Sequence, residues 1–317
     1  MKIIYFIVQQ TMAFSIPLLI VALGGMFSER SGVVNIALEG IMVFGAFTSI
    51  LFINQMQDTM QGQLLLILAI AVAAVSGMLI SLLHAYASIH MKADQVISGT
   101  AINMLTPAVA IYVARMIQQI QQIGFVNTFR IVSVPLLGNI PVLGPLFFQN
   151  TYLTTYLGFA ILIVSALVLY RTRFGLRLRA CGEHPQAADS VGINVYKMRY
   201  AGVLISGLLA GIGGLVFVIP TSTNFNATVA GYGFLALAVL IFGQWKPGRI
   251  LLAAFFFGLM QAIASAYSGI PFLAGLGIPN YFYRMTPFIA TLVVLTFTSK
   301  KSRAPKAAGV PYDKSAR

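Results

Sequence analysis

The sequence predicts an all-α, polytopic membrane protein with about nine transmembrane helices (eight to ten) and a cytoplasmic C-terminus. Three observations lead there. The 317 residues are 58% hydrophobic and only 9% charged, whereas a soluble domain carries roughly 25% charge to cover its surface. The apolar residues gather in repeated runs long enough to cross a hydrocarbon core of about 30 Å at about 1.5 Å per helical residue. Finally, the runs are continuous rather than alternating in period two, which rejects a β-barrel and leaves helices as the only way to pair every backbone group in lipid.

The segments fall at 3–27, 33–53, 63–84, 95–115, 152–170, 199–219, 228–243, 250–268 and 281–299. Pro17 and Pro107 lie inside the first and fourth, where neighbouring helices can accept the freed carbonyls. The first is not a cleavable leader, because it runs straight into further membrane segments. The seventh is short for a full crossing and reads as a helix of little tilt or as a broken helix. Residues 1–299 therefore form one transmembrane domain, with an external loop over 116–151 and a polar cytoplasmic segment over 171–198. Residues 300–317 form a basic cytoplasmic tail.

Orientation follows from Lys and Arg. Of 20 basic residues, all but Lys2, Arg115, Arg130 and Arg284 lie in the connections after segments one, three, five and seven or in the tail. Such asymmetry is the positive-inside pattern. It accounts for the net charge of +13 with a lipid bilayer and no nucleic acid as the partner. His84, His90 and His184 have no metal-ligand spacing and Cys181 stands alone, so neither a metal site nor a disulfide is expected.

A few polar side chains interrupt the apolar segments. Glu39 lies several residues inside the second, with Asn35 one turn earlier on the same face if the helix starts near residue 33. A carboxylate at that depth costs a few kcal/mol unless it meets water or a partner. It lines a polar pathway, or it anchors a neighbouring helix or Arg30. Asn103, Tyr232 and Gln261 are further candidates for the pathway, although Asn and Gln also serve as interhelical glue. Gly207 and Gly211 have the GxxxG spacing of close helix packing. GQWKPGRI (243–250) imitates the start of a phosphate-binding loop but lacks its Lys–Ser/Thr pair and a preceding strand, and Trp245 is expected at the headgroup level. The acidic residues are too scattered for a membrane enzyme or a proton relay. An ion-coupled transporter would have no use for the organised 171–198 segment, where Gly182 and Pro185 open a brief polar helix ending at Gly192.

Four stretches carry a resemblance to a known family: GGMFSERSGVVNIALEGIMVFGAF (24–47), KADQVISGTAINML (92–105), FGLRLRACGEHPQAADSVGINVYKMR (174–199) and AGYGFLALAVLIFGQWKPG (230–248). The chain resembles the permeases of ATP-binding cassette importers for branched-chain amino acids, ribose and nucleosides, most of all the shorter of the two permeases in bacterial nucleoside importers. The resemblance implies a multi-pass subunit of the bacterial cell membrane that is not itself an enzyme and holds no cofactor. A second related permease, a cytoplasmic ATPase that uses ATP and Mg, and an extracytoplasmic binding (lipo)protein would complete the machine. On the same basis Gly182, Glu183, Pro185, Ala187, Ala188, Gly192 and Ile193 would form the element that docks on the ATPase. Nucleosides are the expected cargo, with simple sugars and branched-chain amino acids as alternatives. The external surfaces at 116–151, 220–228 and 269–280 would receive it.

Overall fold

The computed structural model describes residues 2–267, 279–298 and 304–314. The helices of the apolar segments are α1 (Lys2–Ser31), α2 (Leu38–Met56), α3 (Gln63–Ala85), α4 (Gln95–Gln118), α5 (Leu153–Arg171), α8 (Val195–Thr221), α9 (Tyr232–Phe242), α10 (Pro247–Ala266) and α11 (Asn280–Thr298). Between α5 and α8 lie α6 (Arg173–Glu183) and α7 (Pro185–Ser190), and α3 continues into a π-helical turn at Tyr86–His90. Among the described residues seven helices are long and apolar enough to cross a bilayer: α1 to α5, α8 and α10. The chain is thus an all-α, multi-pass membrane protein. With 11 residues, α9 extends only about 16 Å, roughly half a bilayer core. The shortness of 228–243 therefore comes from a real break, with residues 226–231 non-helical.

α8 is the axis of the bundle. In its most apolar 18-residue stretch 78% of residues are buried, against 22% in α4, which lies at the periphery. Lipid is as apolar as leucine, so helices associate in it through packing rather than through a hydrophobic force. Glycine supplies that packing here. A Cβ on Gly77 of α3 would come within 2.8 Å of Gly211 Cα, and one on Gly214 would stand 2.9 Å from Met42 Cα of α2. The 207–211 spacing thus brings three backbones together.

One end of the bundle is covered by residues 119–152. Short strands β1 (Ile123–Gly124) and β4 (Asn224–Phe225) pair antiparallel, as do β2 (Arg130–Ser133) and β3 (Gln149–Tyr152). Gln9 of α1 donates to the Pro145 carbonyl at 2.7 Å, and Asn127 donates to that of Ile219 at 2.6 Å, so this loop is ordered against the helices. The opposite end gathers the basic residues. Arg30 pairs with Glu183 at 3.7 Å and donates to the Trp245 carbonyl at 3.1 Å. Lys92 pairs with Asp313 at 2.5 Å.

Trp245 and the start of the sixth segment depart from expectation, and the two polar segments take a definite form. The polar 171–198 segment is mostly helix, since Thr172 caps α6 by accepting from the Gly175 N–H at 3.1 Å and Asn194 caps α8 by accepting from Lys197 at 2.9 Å. α8 therefore starts four residues early and takes in Arg199, which is buried rather than solvated. Trp245 is likewise buried within the protein and donates to Glu29 at 2.6 Å, so it is no headgroup anchor. The tail at 304–314 is packed against the bundle, with Pro305, Ala307 and Tyr312 buried. Lys300, Lys301, Arg303 and Arg317, and nearly all of the surface expected at 269–280, lie outside the described residues.

Candidate functional site

The first site is a break in the membrane backbone. α1 ends at Ser31 and α2 begins at Leu38, and the six residues between them are non-helical and largely buried. Buried non-helical backbone must find its hydrogen bonds within the protein. It finds them in isolated polar side chains of α3, of α4 and of the break itself. Gln95 accepts from the Val34 N–H at 2.7 Å, and His84 Nε2 bonds the Val34 carbonyl at 3.0 Å while its Nδ1 meets Ser98 at 3.1 Å. Asn103 donates to the Ile36 carbonyl at 2.9 Å and accepts from the Gly40 N–H at 2.7 Å. Asn35 accepts from the Ala37 N–H at 3.1 Å and donates to Ser206 of α8 at 2.9 Å. Asn35 thus precedes the helix instead of sharing a face with Glu39. Gln95 and Asn103 are eight residues apart on α4, so the segment dips about 12 Å along that helix.

At the inner end of the break stands Glu39, in the first turn of α2. Its Oε1 accepts from the Gly231 N–H at 2.9 Å and its Oε2 from that of Gly233 at 2.6 Å. Gly231 is the N-cap of α9, at φ 78°, a left-handed conformation natural to glycine. One carboxyl group therefore caps the free N–H groups of α9 while standing at the N-terminus of α2, where both helix dipoles favour negative charge. It holds together the inner ends of two broken elements. Tyr232 is buried beside it against Phe217, ring centroids 4.2 Å apart, and its hydroxyl is without a hydrogen-bond partner. Gln261 on α10 is half-buried and takes no part in this network. Asn35, Glu39, Asn103 and Tyr232 are brought together; Gln261 is not.

The second site is the α6–α7 element at the basic end. Pro185 starts α7 at a position where its missing N–H costs nothing. The helix stops with the Ile193 N–H donating to the Ala188 carbonyl at 3.1 Å and that of Gly192 to Asp189 at 2.9 Å. Gly192 has φ 81°, and the pattern is a Schellman stop, which favours glycine there. Gly182, Pro185 and Ala188 face inward. A Cβ on Gly182 would stand 2.9 Å from the Arg30 carbonyl carbon. Gln186, Ala187 and Val191 face outward, Val191 with 74% of its surface exposed. Beneath them Cys181 is buried in a cluster with Ala188, Val195 and Tyr312, and burial pushes its thiol up to about 11.

The sequence alone did not single out His84, Gln95, Ser206 and Arg199 for this machinery. His84, Gln95 and Arg199 lie at the expected ends of apolar segments, where polar residues read as solvated, and Ser206 lies inside the sixth as a single small hydroxyl. Their signal lies in three dimensions: each bonds a residue in a non-helical stretch.

Comparison with known proteins follows this geometry. Residues 7–295 match the family described as "branched-chain amino acid transport system / permease component". The chain belongs to this permease family. It is 46% identical to the guanosine ABC transporter permease protein NupQ of Bacillus subtilis (strain 168), over all of this chain and 99% of that one. It is 44% identical to the nucleoside ABC transporter permease protein NupC of Lactococcus lactis subsp. cremoris (strain MG1363), over 98% of this chain and 97% of the relative. At 34% identity over 78% of this chain and 73% of the relative stands the putative glucose ABC transporter permease protein TsgC13 of Haloferax volcanii. The permease family thus accounts for nearly the whole chain, including both the break at 32–37 and the α6–α7 element.

Proposed function

We propose that the chain is a membrane-spanning subunit of an ATP-binding cassette importer that carries nucleosides inward. The observation that carries this reading is the end-to-end similarity to two permeases named for guanosine and nucleosides, at 44–46% identity. The more distant likeness to a putative glucose permease keeps a simple sugar as the second reading. The basic end faces the cytoplasm of a bacterial cell under the positive-inside rule. Counting the non-helical 226–231 stretch and α9 as a single passage, the described residues cross nine times. An odd count leaves the strand-covered end outside and the tail inside.

In this arrangement α6–α7 docks on a separate ATPase, which binds ATP and Mg. Gln186, Ala187 and Val191 present the docking face, while Gly182, Glu183, Pro185, Ala188, Gly192 and Ile193 shape the element and tie it to α1. A second related permease and an extracytoplasmic binding protein complete the complex. The chain itself performs no catalysis and holds no cofactor. Glu39, Asn35 and Asn103 hold the broken segments in position, and Tyr232, with its free hydroxyl, offers a ring and a hydrogen-bonding group to an uncharged cargo. Uptake of labelled guanosine, uridine and ribose by a strain deleted for this gene, with and without the gene restored, tests the reading. Loss of nucleoside uptake with ribose uptake intact is expected. Undiminished nucleoside uptake would refute it, and selective loss of ribose would install the second reading. Replacing residues 183–189 with a Gly/Ser linker is expected to leave an inserted permease without ATP-driven uptake.

A further inference from the structure

The tail has bonds to four separate parts of the basic end. The Ala307 N–H donates to the Gly182 carbonyl at 2.8 Å, within α6. The Gly309 N–H donates to the carbonyl of Gly32 at 3.2 Å, the first residue of the buried break. Arg199 of α8 donates through Nη1 to the Val310 carbonyl at 3.0 Å, with its guanidinium 5.9 Å from the Tyr312 ring centroid. Asp313 pairs with Lys92 beyond the π-turn of α3. Tyr312 is packed into the cluster of Cys181, Ala188 and Val195, edge-on to Tyr196 at 5.5 Å. Gly309 turns the chain between these anchors with φ 79°.

We infer that residues 304–314 form a strap that links the docking element to the break between α1 and α2, and that this link transmits ATPase motion into the membrane. The inference rests on the reading of α6–α7 as the docking element. One short peptide holds α6 at Gly182 and the break at Gly32 through neighbouring N–H groups, two residues apart. A displacement of α7 through Ala188 moves Tyr312, and the strap then pulls on Gly32 and Arg199 together. The ion pair is exposed on both sides and adds little, because solvent and salt screen it. The buried Tyr312 ring and the three backbone-directed bonds carry the link. Lys306, Val310, Pro311 and Lys314 face outward, so the strap also extends the surface offered at that end.

The test uses the full complex of both permeases, ATPase and binding protein in proteoliposomes, with guanosine as cargo. Stopping this chain after Arg303 is expected to leave the complex assembled and ATP hydrolysis within about twofold of normal, while guanosine moved per ATP falls at least tenfold. Labelling of Cys181 by a maleimide is expected to accelerate in the same truncated complex, because its cover is gone. Tyr312→Ala is expected to lower the uptake-to-hydrolysis ratio several-fold, and Tyr312→Phe to restore most of it. Normal uptake per ATP by the truncated complex, or by Tyr312→Ala if truncation prevents assembly, would overturn the inference. An equal fall in hydrolysis and uptake would also overturn it, since the strap would then serve folding only. The Gly/Ser replacement of 183–189 separates the two claims: normal uptake there defeats the docking reading, whereas normal uptake without the strap defeats only the strap.

Discussion

Glu39 is the residue at which an anchor and a pathway group make opposite predictions. The side chain accepts one N–H from Gly231 and one from Gly233. In Glu39→Gln the amide oxygen can keep one of these donors, while the amide nitrogen is turned against the other. A hydrogen bond to a charged group contributes about 1.5–3 kcal/mol, and a buried donor left unpaired costs about 1–3 kcal/mol. The two figures describe the same lost bond from either side, so a single loss of about 2–3 kcal/mol is the right sum. Removal of the charge from two helix N-termini acts in the same direction. For domains of 150–250 residues about 1 kcal/mol shifts the melting temperature by roughly 2–4 °C, which gives a fall of about 5–10 °C. The assay is thermal unfolding of the detergent-solubilised protein, followed by the fluorescence of Trp245, its single tryptophan. Glu39→Asp keeps the charge but not the reach, and is expected to lie between the wild type and Gln. A Gln variant that melts with the wild type yet transports nothing would refute the anchor and make the carboxyl a pathway group.

Three further outcomes follow from the same geometry. Asn103→Leu removes a donor to Ile36 and an acceptor for Gly40 together; side-chain bonds in membranes average about 0.6 kcal/mol, but here two backbone groups lose their partners, so a loss of about 2 kcal/mol is expected in the same melt. Gly211→Val is expected to abolish folding, read as loss of a monodisperse peak on size exclusion, because a Cβ there would stand 3.0 Å from Gly77 Cα and 3.2 Å from the Ala73 carbonyl carbon. Gly248→Ala is its control, having nothing within 4 Å of the added carbon, and should be tolerated. Cys181, with its thiol near 11, should label slowly at pH 7.5 and about tenfold faster for each pH unit up to that value, since only the thiolate reacts; a rate that levels off near pH 8.5 would mean an ordinary, exposed thiol.

The apolar runs were legible because a bilayer imposes one length and one secondary structure on each. Segment limits came within a few residues for α3, α4 and α5, where charged or polar residues flank the run. They failed at α2, where the apolar run starts near Val33 but the helix starts at Leu38. Hydropathy reports burial, and the buried break is as apolar in its side chains as a helix would be. The α6–α7 element was visible as a polar segment with a turn at Gly182 and Pro185, while its extent was hidden by the basic residues of α6, which read as loop. Arg199 shows the limit most sharply. A guanidinium beside a membrane segment reads as a positive-inside signal, and nothing local says that a tail more than a hundred residues later folds back over it.

On the proposed reading, the broken segments explain why a transporter would keep so many isolated polar residues in its helices. A position inside a helix is held by a ladder of backbone bonds that cannot be exchanged without unwinding the turn. Residues 32–37 are held instead by His84, Gln95, Asn103 and Ser206, side chains on three different helices. Each such bond is individually worth about 1 kcal/mol, so a shift of α4 against α8 can trade one partner for another without opening any helix. The strap holds one end of this segment at Gly32 and Glu39 holds the other to α9. A pull on α6–α7 therefore reaches α9 along one connected run of backbone and hydrogen bonds. The stiff glycine-packed contact of α2, α3 and α8 stays as the frame against which that run can move.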